Sequence, residues 1–443
     1  MAKEKEEILI VGGGLAGSEA AWQARLEGVE VTLFEMRPVR YSPAHRSPHL
    51  AELVCSNSLR SRSLDTASGL LKEELRRFGS VIHRAATETA VPAGAALAVD
   101  REAFARRVTS LVEAAGVRVV RREITQLPPL DQPLVLATGP LPSDAIAAAV
   151  QRLTGADSLY FYDAIAPIVD GATINLERAF WGSRYGKGGQ DYLNCPLDRE
   201  TYYRFVDEIL RAEKVPLRDF EQIPPFEGCL PIEDLALRGR ETLAHGPMRP
   251  VGLCDPGSGR AAYAVVQLRQ DNAAASLFNM VGFQTKMIPS EQKRVLRMIP
   301  GLEQAEFFRF GSLHRNAFVN SPRLLLPTLQ LRGLENLFLA GQMTGVEGYI
   351  ESVATGLIAG RNAARLALSR PLLVPPETTA IGALLRYTTH ADPESFQPMH
   401  CNFGLLPPPA EAGRQGRKAR REAYSQRALL DLDAWLRKEG TRA

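Results

Sequence analysis

Residues 8–35 read ILIVGGGLAGSEAAWQARLEGVEVTLFE, and this stretch decides the fold. An apolar run at Ile8–Val11 predicts a strand, and a glycine turn follows it at Gly12–Gly17. A helical pattern over Ser18–Leu26 leads to a second apolar run at Val29–Phe34, which is closed by an acid. Strand, glycine turn, helix, strand and acid in this order are typical of a dinucleotide-binding βαβ unit.

Each glycine of the turn has its own physical reason. Gly12 permits a sharp change of direction, Gly14 lets the backbone approach a pyrophosphate, and Gly17 lets the helix pack closely on the strand. The unpaired N–H groups and the positive end of the helix dipole then face the phosphates. Glu35 follows Gly17 by eighteen residues and is placed to accept hydrogen bonds from ribose hydroxyls. A simple glycine-rich turn would not require an acid at this position. The residues expected to hold the nucleotide at this end are Gly12, Gly13, Gly14, Leu15, Ala16, Gly17, Glu35 and Arg37.

Two later segments repeat the pattern of a strand followed by glycine. Residues 133–139 form an apolar run that ends in glycine, and a run at 336–342 is followed by a glycine-rich turn and a small-residue helix over 350–368. Strands that end in this way return to the cofactor in flavoprotein folds, and the helix N-terminus would lie over the electron-rich flavin. An ordinary βα junction is the alternative interpretation. The residues expected at this end of the cofactor are Gly139, Gly341, Gln342, Gly345, Val346, Glu347 and Gly348.

These segments predict an α/β fold whose Rossmann-like FAD-binding domain is assembled from both ends of the chain. Residues 1–139 and 326–443 would form that domain, and residues 140–325 would form a mixed α+β insertion on the substrate side. A length of 443 residues is sufficient for two or three domains. The last helix carries clustered basic residues that indicate either a solvated face or a surface that contacts phosphates. These residues are Arg414, Arg417, Lys418, Arg420 and Arg421.

The composition excludes several classes of protein. A hydrophobic fraction of 45% and a charged fraction of 23% are typical of a soluble globular protein. No apolar run approaches the ~20 residues that span a bilayer, and the charged N-terminus does not resemble a signal peptide, so the cytoplasm is the expected compartment. The five cysteines are widely spaced without a Cys-x-x-Cys pair, so no metal site is predicted. A net charge of +3 permits a nucleic-acid partner without arguing for one.

Seven peptides point beyond the fold class. They are LVCSNSLR at 53–60, FEGCLPIE at 226–233, RPVG at 249–252, AVVQLRQD at 264–271, VGFQT at 281–285, HRN at 314–316 and GQMTGVEGYIE at 341–351. Together they closely resemble the folate- and FAD-dependent tRNA (uracil-5-)-methyltransferase family, TrmFO, and the resemblance extends over nearly the whole chain. The larger flavoproteins of the GidA group, which modify the wobble uridine of tRNA, are similar to this chain only in part.

The resemblance implies methylation of carbon 5 of a T-loop uridine in tRNA. Methylenetetrahydrofolate would be the carbon donor, reduced FAD the methylene carrier and reductant, and NAD(P)H the source of electrons for FAD. tRNA and folate are therefore the expected partners, with no membrane and no metal. Carbon 5 of uracil is a poor nucleophile, and a thiolate that adds at carbon 6 activates it. The base must also leave the stacked tRNA elbow to reach the cofactor.

Two cysteines lie in the most specific of these peptides. The resemblance makes Cys229 the expected nucleophile at carbon 6, and Cys55 the residue that removes the carbon 5 proton or attaches transiently to the flavin or its methylene. The two roles are interchangeable on sequence grounds, a disulfide between the two thiols is a third option, and a buried structural thiol is the alternative for each. Either thiol needs a lowered pKa to react near neutrality, which arginines such as Arg60 would supply. Tyr349 is expected to cover the flavin face, with a core aromatic at a helix start as the alternative.

Some positions depart from the family pattern. Cys254 and the pair His400-Cys401 stand where other residue types are usual, so we interpret both cysteines as structural, and Cys195 has no assigned role. Three other functions fit parts of the sequence. They are a flavin oxidoreductase acting on a small molecule, a non-catalytic FAD-dependent RNA-binding or assembly factor, and a wobble-uridine-modifying flavoprotein of the GidA type.

Overall fold

We describe the fold from a computed structural model of the chain. The structure describes residues 6–155, 159–186, 189–215, 230–253, 259, 261–409 and 416–439. Three residues singled out from the sequence, Cys229, Cys254 and Arg414, lie outside these ranges.

The first sheet contains strands from both ends of the chain, as the sequence predicts. Its strands are β1 (Glu7–Val11), β2 (Glu30–Glu35), β6 (Arg118–Arg121), β7 (Leu134–Leu136), β16 (Gln330–Leu331) and β17 (Leu334–Leu339). They lie in the order β16-β17-β7-β1-β2-β6, and every neighbouring pair is parallel except β16 and β17. The parallel strands present their carboxyl ends at one edge, which is where ligands bind in open α/β sheets. The Rossmann-like fold is therefore confirmed.

Helices cover this sheet and bury a single hydrophobic core. They are α1 (Leu15–Glu27), α2 (Ala67–Arg77), α3 (Val81–Glu88), α4 (Arg101–Ala114), α5 (Asp144–Thr154), α10 (Ser321–Leu324), α11 (Tyr349–Ala367), α12 (Ala380–His390) and α13 (Arg417–Lys438). α1 and α11 approach so closely that a Cβ at Gly356 would lie 2.2 Å from the Ala16 carbonyl oxygen. The small residues of both helices permit this approach, so the two ends of the chain are fixed against each other.

The second sheet is built from the middle of the chain. Its strands are β9 (Ile168–Asp170), β10 (Phe180–Trp181), β11 (Tyr192–Leu197), β12 (Ala264–Gln270), β13 (Leu277–Met280) and β14 (Phe307–Arg309), in the order β10-β11-β12-β13-β9-β14. All its neighbouring pairs are antiparallel. Its helices are α6 (Arg199–Arg211), α7 (Ile232–Leu237), α8 (Thr242–His245) and α9 (Pro289–Leu296). This unit is the mixed α+β insertion predicted from the sequence, and it supports our proposal that the boundaries lie near residues 140 and 325.

Two smaller ladders connect these units. β8 (Leu159–Ala164) pairs with β15 (Leu313–Phe318), and both strands lie where the chain enters and leaves the insertion. A three-stranded sheet has the order β3-β5-β4, with β3 at Ser58–Ser61, β5 at Ala96–Val99 and β4 at Ala90–Val91. The four residues of β3 give too short a pattern to indicate a strand from the sequence, so this strand is visible only in the structure.

Candidate functional site

The glycine turn after β1 combines two close contacts with one open position. A Cβ at Gly12 would lie 2.4 Å from the Ala137 carbonyl oxygen, and one at Gly17 would lie 1.8 Å from the Gly12 carbonyl oxygen. Gly12 also has a φ of +103°, which other residues rarely adopt. Gly14 precedes the first residue of α1, and a Cβ there would meet no atom of the described residues within 4 Å. Gly12 and Gly17 therefore permit close packing, whereas Gly14 leaves free space in front of the helix N-terminus, as a bound pyrophosphate requires.

Glu35 lies at the end of β2 and is held by a dense set of hydrogen bonds. Its Oε2 accepts from the Gly13 amide at 2.8 Å, and its Oε1 accepts from the amide and the Nε of Arg37, both at 2.9 Å. Burial raises the pKa of Glu35, but the Arg37 guanidinium and these two amides outweigh it, so the pKa lies below its ordinary value. Glu35 is therefore an ionised acceptor, and a ribose hydroxyl there would share or replace one of these bonds.

A cleft of about 1060 Å³ joins the two glycine-rich ends of the chain. Its walls include eleven of the residues that the sequence assigned to the cofactor: Gly12, Gly13, Gly14, Leu15, Ala16, Glu35, Arg37, Gly139, Gly341, Gln342 and also Tyr349. Gly345 and Val346 line neither this cleft nor the one beside it, since Gly345 packs against Phe396 and Val346 bridges to Met399. The residues that line the first cleft fit a dinucleotide that lies across the sheet edge.

A second cleft of about 1280 Å³ adjoins the first. The two clefts share Gln342 and Tyr349 in their walls, together with Val54 and the Pro140-Leu141 pair. Beyond this shared wall the second cleft is lined by polar residues from the first domain and from the insertion. They include Cys55, Arg60, Arg269, Asn279, Gln284, Asn316, Glu347, Gly348 and Glu351. A reactive group at the inner end of the first cleft would therefore face Cys55.

The structure brings the predicted residues Cys55 and Tyr349 together, although they are 294 positions apart. The backbone amide of Cys55 donates a hydrogen bond to Tyr349 Oη at 2.8 Å. Tyr349 is the first residue of α11, so the glycine turn before that helix sets the position of its ring. Cys55 is half-buried and lines the second cleft. The phenol thus orders the Cys55 peptide at the junction of the two clefts.

Arginines that were not predicted as site residues from the sequence surround Cys55. Arg101 donates to the Cys55 carbonyl oxygen at 3.1 Å and pairs with Asp271 at 2.8 Å. Burial opposes the charge of Arg101, but the Asp271 carboxylate outweighs it and raises the arginine's pKa above its ordinary value. A negative charge on Cys55 also interacts favourably with Arg269 and Arg309. Reciprocally, these guanidinium groups stabilise a thiolate at this position.

Arg60, the predicted source of positive charge for a thiolate, has a different partner. Its Nη1 lies 3.3 Å from Glu351 Oε1, and Glu351 is fully buried in α11. Burial raises the pKa of Glu351, while Arg60 opposes that change. Arg101 and Arg269 are thus the arginines that contact the Cys55 segment. Arg269 is part of the AVVQLRQD peptide quoted above, but its contact with residue 56 is visible only in three dimensions.

The other described cysteines are buried. Burial raises the pKa of Cys195 to about 12 and raises the pKa of Cys401 well above its ordinary value. Neither thiol lines either cleft. A protonated, buried thiol is a small apolar residue, which agrees with the structural interpretation of Cys401.

A buried lysine lies behind the wall of the second cleft and gives a test of stability against pH. Lys72 Nζ donates to the Leu59 carbonyl oxygen at 2.7 Å, and burial lowers the lysine's pKa to about 7. Between that value and the ordinary value, the unfolded chain binds a proton that the folded chain does not. The free energy of unfolding therefore rises with pH across this window. It is highest above the ordinary lysine pKa and decreases as the pH falls towards 7.

We expect Lys72→Met to remove this dependence. Between about pH 7.5 and 10, the free energy of unfolding of the unsubstituted protein should rise relative to the variant by at most about 1.4 kcal/mol per pH unit. Denaturant titrations at several pH values measure this slope. Lys418→Met, at an exposed position of α13, is the control and should keep the slope. Equal slopes for both variants would contradict the assignment.

Within the described ranges, no group of three or more His, Cys, Asp or Glu side chains is arranged to hold a metal ion. Among the helices of this described part of the chain, none combines the length and the apolar character needed to cross a membrane.

Comparison with known proteins identifies the family. The model of the family "Glucose inhibited division protein A" matches residues 7–371. A relative from Geobacter sulfurreducens, named methylenetetrahydrofolate–tRNA-(uracil-5-)-methyltransferase TrmFO, is 58% identical over 97% of this chain and 98% of its own length. A relative of the same name from Moorella thermoacetica is 56% identical over 96% of this chain and 97% of its own.

A solved structure supports the fold. GidA from Aquifex aeolicus, in its form II crystal, superposes with a TM-score of 0.70 and is 16% identical. The superposition covers 100% of this chain and 75% of that one. At this identity the likeness bears on the fold alone, and the relatives of similar length decide the family. The chain belongs to the TrmFO family.

Proposed function

We propose that this protein is an enzyme that methylates carbon 5 of a T-loop uridine in tRNA. Methylenetetrahydrofolate is the carbon donor, FAD is the bound cofactor, and NAD(P)H re-reduces it. The observation that carries the proposal is the joining of a dinucleotide cleft to a second cleft containing Cys55, in a chain more than half identical to proteins named for this activity. The protein would act in the cytoplasm, where tRNA is modified.

The residues of the first cleft fit FAD. Gly14 and the N-terminus of α1 would face the pyrophosphate, and Glu35 would accept from the ribose of the adenosine half. The turn at 341–348 and the N-terminus of α11 would lie at the opposite, reactive half of the cofactor. When bound and reduced, FAD would carry the methylene from folate and supply the electrons that make it a methyl group.

The free space in front of Gly14 gives a test of cofactor binding. We expect Gly14→Ala to weaken FAD binding about 10- to 100-fold, because the new methyl group would occupy the space that the pyrophosphate needs, while the free energy of unfolding of the apoprotein stays within about 1 kcal/mol. Flavin titration monitored by fluorescence measures the affinity. Gly416→Ala is a matched control, because Gly416 also precedes a helix and has a negative φ, and a Cβ there would meet no described atom within 4 Å.

Equal FAD affinities for the Gly14 and Gly416 variants would remove Gly14 from the cofactor site. Gly17→Ala tests a different property. Its Cβ would overlap the Gly12 carbonyl oxygen, so that variant should lose stability as well as FAD.

The protein's own residues would activate the base. The thiolate of Cys229 adds to carbon 6 of uracil, which raises the electron density at carbon 5. Cys55 then accepts the carbon 5 proton, and its segment is held in place by Tyr349 and Arg101. The Arg101 and Arg269 guanidinium groups favour the ionised thiol that this proton transfer requires.

The tRNA would be held mainly through its phosphates, because one extruded T-loop base offers the protein few sequence-specific contacts. The basic helix predicted at the end of the chain begins at Arg417 and includes the exposed residues Lys418, Arg420 and the half-buried Arg421. We propose this face as one contact with the RNA backbone.

Carbon transfer from labelled folate tests the function. Protein loaded with FAD should move labelled carbon from methylenetetrahydrofolate into a tRNA transcript only when NAD(P)H is present, and mass spectrometry of nucleosides should locate it at carbon 5 of a T-loop uridine. Label from S-adenosylmethionine instead of folate, or a product at the wobble position, would overturn the proposal. A flavin that turns over small molecules but never transfers carbon to RNA would favour the oxidoreductase alternative.

A further inference from the structure

Asn279 occupies a distinctive place in the wall of the second cleft. It lies on β13, is 3% exposed, and lines the cleft with Cys55. Its Oδ1 accepts a hydrogen bond from Arg269 Nη2 at 3.3 Å. The residue therefore belongs to the insertion but faces a cleft that also contains the reactive residues of the first domain.

The Arg269 contact fixes the direction of the Asn279 amide. A guanidinium group only donates hydrogen bonds, so the carbonyl of the amide must face it and the Nδ2 group must face away. Asn279 Nδ2 is buried and has no acceptor among the residues that the structure describes. A buried donor without an acceptor destabilises the folded protein, which indicates that a ligand supplies the acceptor.

Arg269 is anchored so that it can support this donor. Its Nε donates to Asn57 Oδ1 at 2.9 Å and its Nη2 donates to Ser56 Oγ at 2.7 Å. The described side chains that accept hydrogen bonds from Arg269 are all neutral. Within the described ranges, no carboxylate therefore neutralises the Arg269 guanidinium through a direct hydrogen bond. Because Ser56 and Asn57 directly follow Cys55, the positive charge is held beside the reacting groups.

The chemistry of the proposed reaction contains an acceptor that matches this donor. When a thiolate adds to carbon 6, its electron pair forms the S–C6 bond, and the electrons of the C5–C6 double bond move to O4, which becomes an enolate oxygen. The enolate then forms the bond from carbon 5 to the methylene, and the π electrons of the methylene iminium pass to the nitrogen that carries it. Carbon 5 loses its proton to a base, and expulsion of the thiolate restores the double bond. A hydride, which the reduced flavin would supply, then replaces the carrier nitrogen and completes the methyl group. O4 therefore gains negative charge when the thiolate adds to carbon 6.

We propose that Asn279 Nδ2 donates a hydrogen bond to O4 of the target uracil, with Arg269 behind it, and so stabilises the enolate; this inference rests on the proposed function. Asn279 is then a catalytic residue that contacts the substrate, and Arg269 is a positioning residue that acts through it. A donor aimed at the atom where charge develops contributes more in the transition state than in the ground state. Such a donor also favours uracil over cytosine, whose 4-amino group is itself a donor.

Removal of the donor should slow methyl transfer without weakening tRNA binding. We expect Asn279→Ala and the isosteric Asn279→Asp to lower kcat about 10²- to 10³-fold, while KM for tRNA changes less than about 3-fold. The flavin spectrum and the rate of NAD(P)H oxidation should stay unchanged. Asn175→Ala, at an exposed position of the insertion, is the control and should keep full activity.

A modified substrate tests the atom itself. Sulfur accepts hydrogen bonds weakly, so tRNA with 4-thiouridine at the target should react more slowly with the unsubstituted protein but lose less than about 3-fold further with Asn279→Ala. A 2-thiouridine substrate should affect both proteins alike. Independent, multiplicative losses would overturn the proposal. An unsubstituted protein that is insensitive to 4-thiouridine would also overturn it, and that outcome does not require a folded Asn279 variant. An unsubstituted protein with no methylation of any tRNA would instead overturn the proposed function.

Discussion

Cys55→Ala is expected to abolish methyl transfer, by at least about 10³-fold, in a protein that still binds FAD. The structure makes this variant informative because the contacts that order the Cys55 segment involve its backbone. The amide donates to Tyr349 Oη and the carbonyl accepts from Arg101, so alanine keeps both hydrogen bonds and removes only the thiol. The measurement is the initial rate of methylated uridine formation, with the flavin absorbance recorded on the same sample.

Cys195→Ala is the matched control for the loss of a thiol. Cys195 is buried in the insertion core, so its replacement should cost about 1 kcal/mol of stability and leave the methylation rate unchanged. If Cys55→Ala methylated tRNA at the normal rate, Cys55 would have no chemical role, and the arginines around it would stabilise only the fold.

The sequence was sufficient to predict the parts of the fold that depend on local pattern. The unit from β1 to β2 shows alternation of apolar runs, glycines and a helical stretch between Glu7 and Glu35, and the structure has strand, helix and strand in that order. The joining of both chain ends was also predicted, because β7 and β17 each lead into a glycine pattern that returns to the cofactor in flavoprotein folds. The close contact of Gly356 with Ala16 then explains why the helix of the second end consists of small residues.

The electrostatics around Cys55 were not predictable from the sequence. Arg101 begins α4, where an arginine is unremarkable, and its partner Asp271 is 170 positions away. Arg269 and Asn279 lie on neighbouring strands, and their contact with the Cys55 segment depends on how the insertion folds back on the first domain. Arg60 was the nearest arginine in the sequence, yet it pairs with Glu351. Sequence proximity indicated a candidate, but the three-dimensional packing decided the partner.

Cys229→Ala is expected to abolish methylation as completely as Cys55→Ala, for a different chemical reason. Cys229 lies outside the described residues, so its role rests on the specific peptide FEGCLPIE and on the need for a nucleophile at carbon 6. The variant should keep its flavin spectrum and its NAD(P)H oxidation. Loss of methylated uridine in both cysteine variants would show that both thiols are needed but would leave their roles exchangeable.

A tRNA with 5-fluorouridine at the target position separates the two roles. Fluorine replaces the hydrogen that must leave carbon 5 as a proton, so the bond between the attacking thiol and carbon 6 cannot be broken by the normal route, and the protein stays attached to the RNA. The attached species should form with the unsubstituted protein and with Cys55→Ala, and it should be absent with Cys229→Ala. The opposite pattern, with attachment lost in Cys55→Ala and kept in Cys229→Ala, would exchange the assignments. In that case the arginines around Cys55 would activate the nucleophile rather than the base, and Asn279 would stand in the same wall as the thiol whose addition places charge on O4.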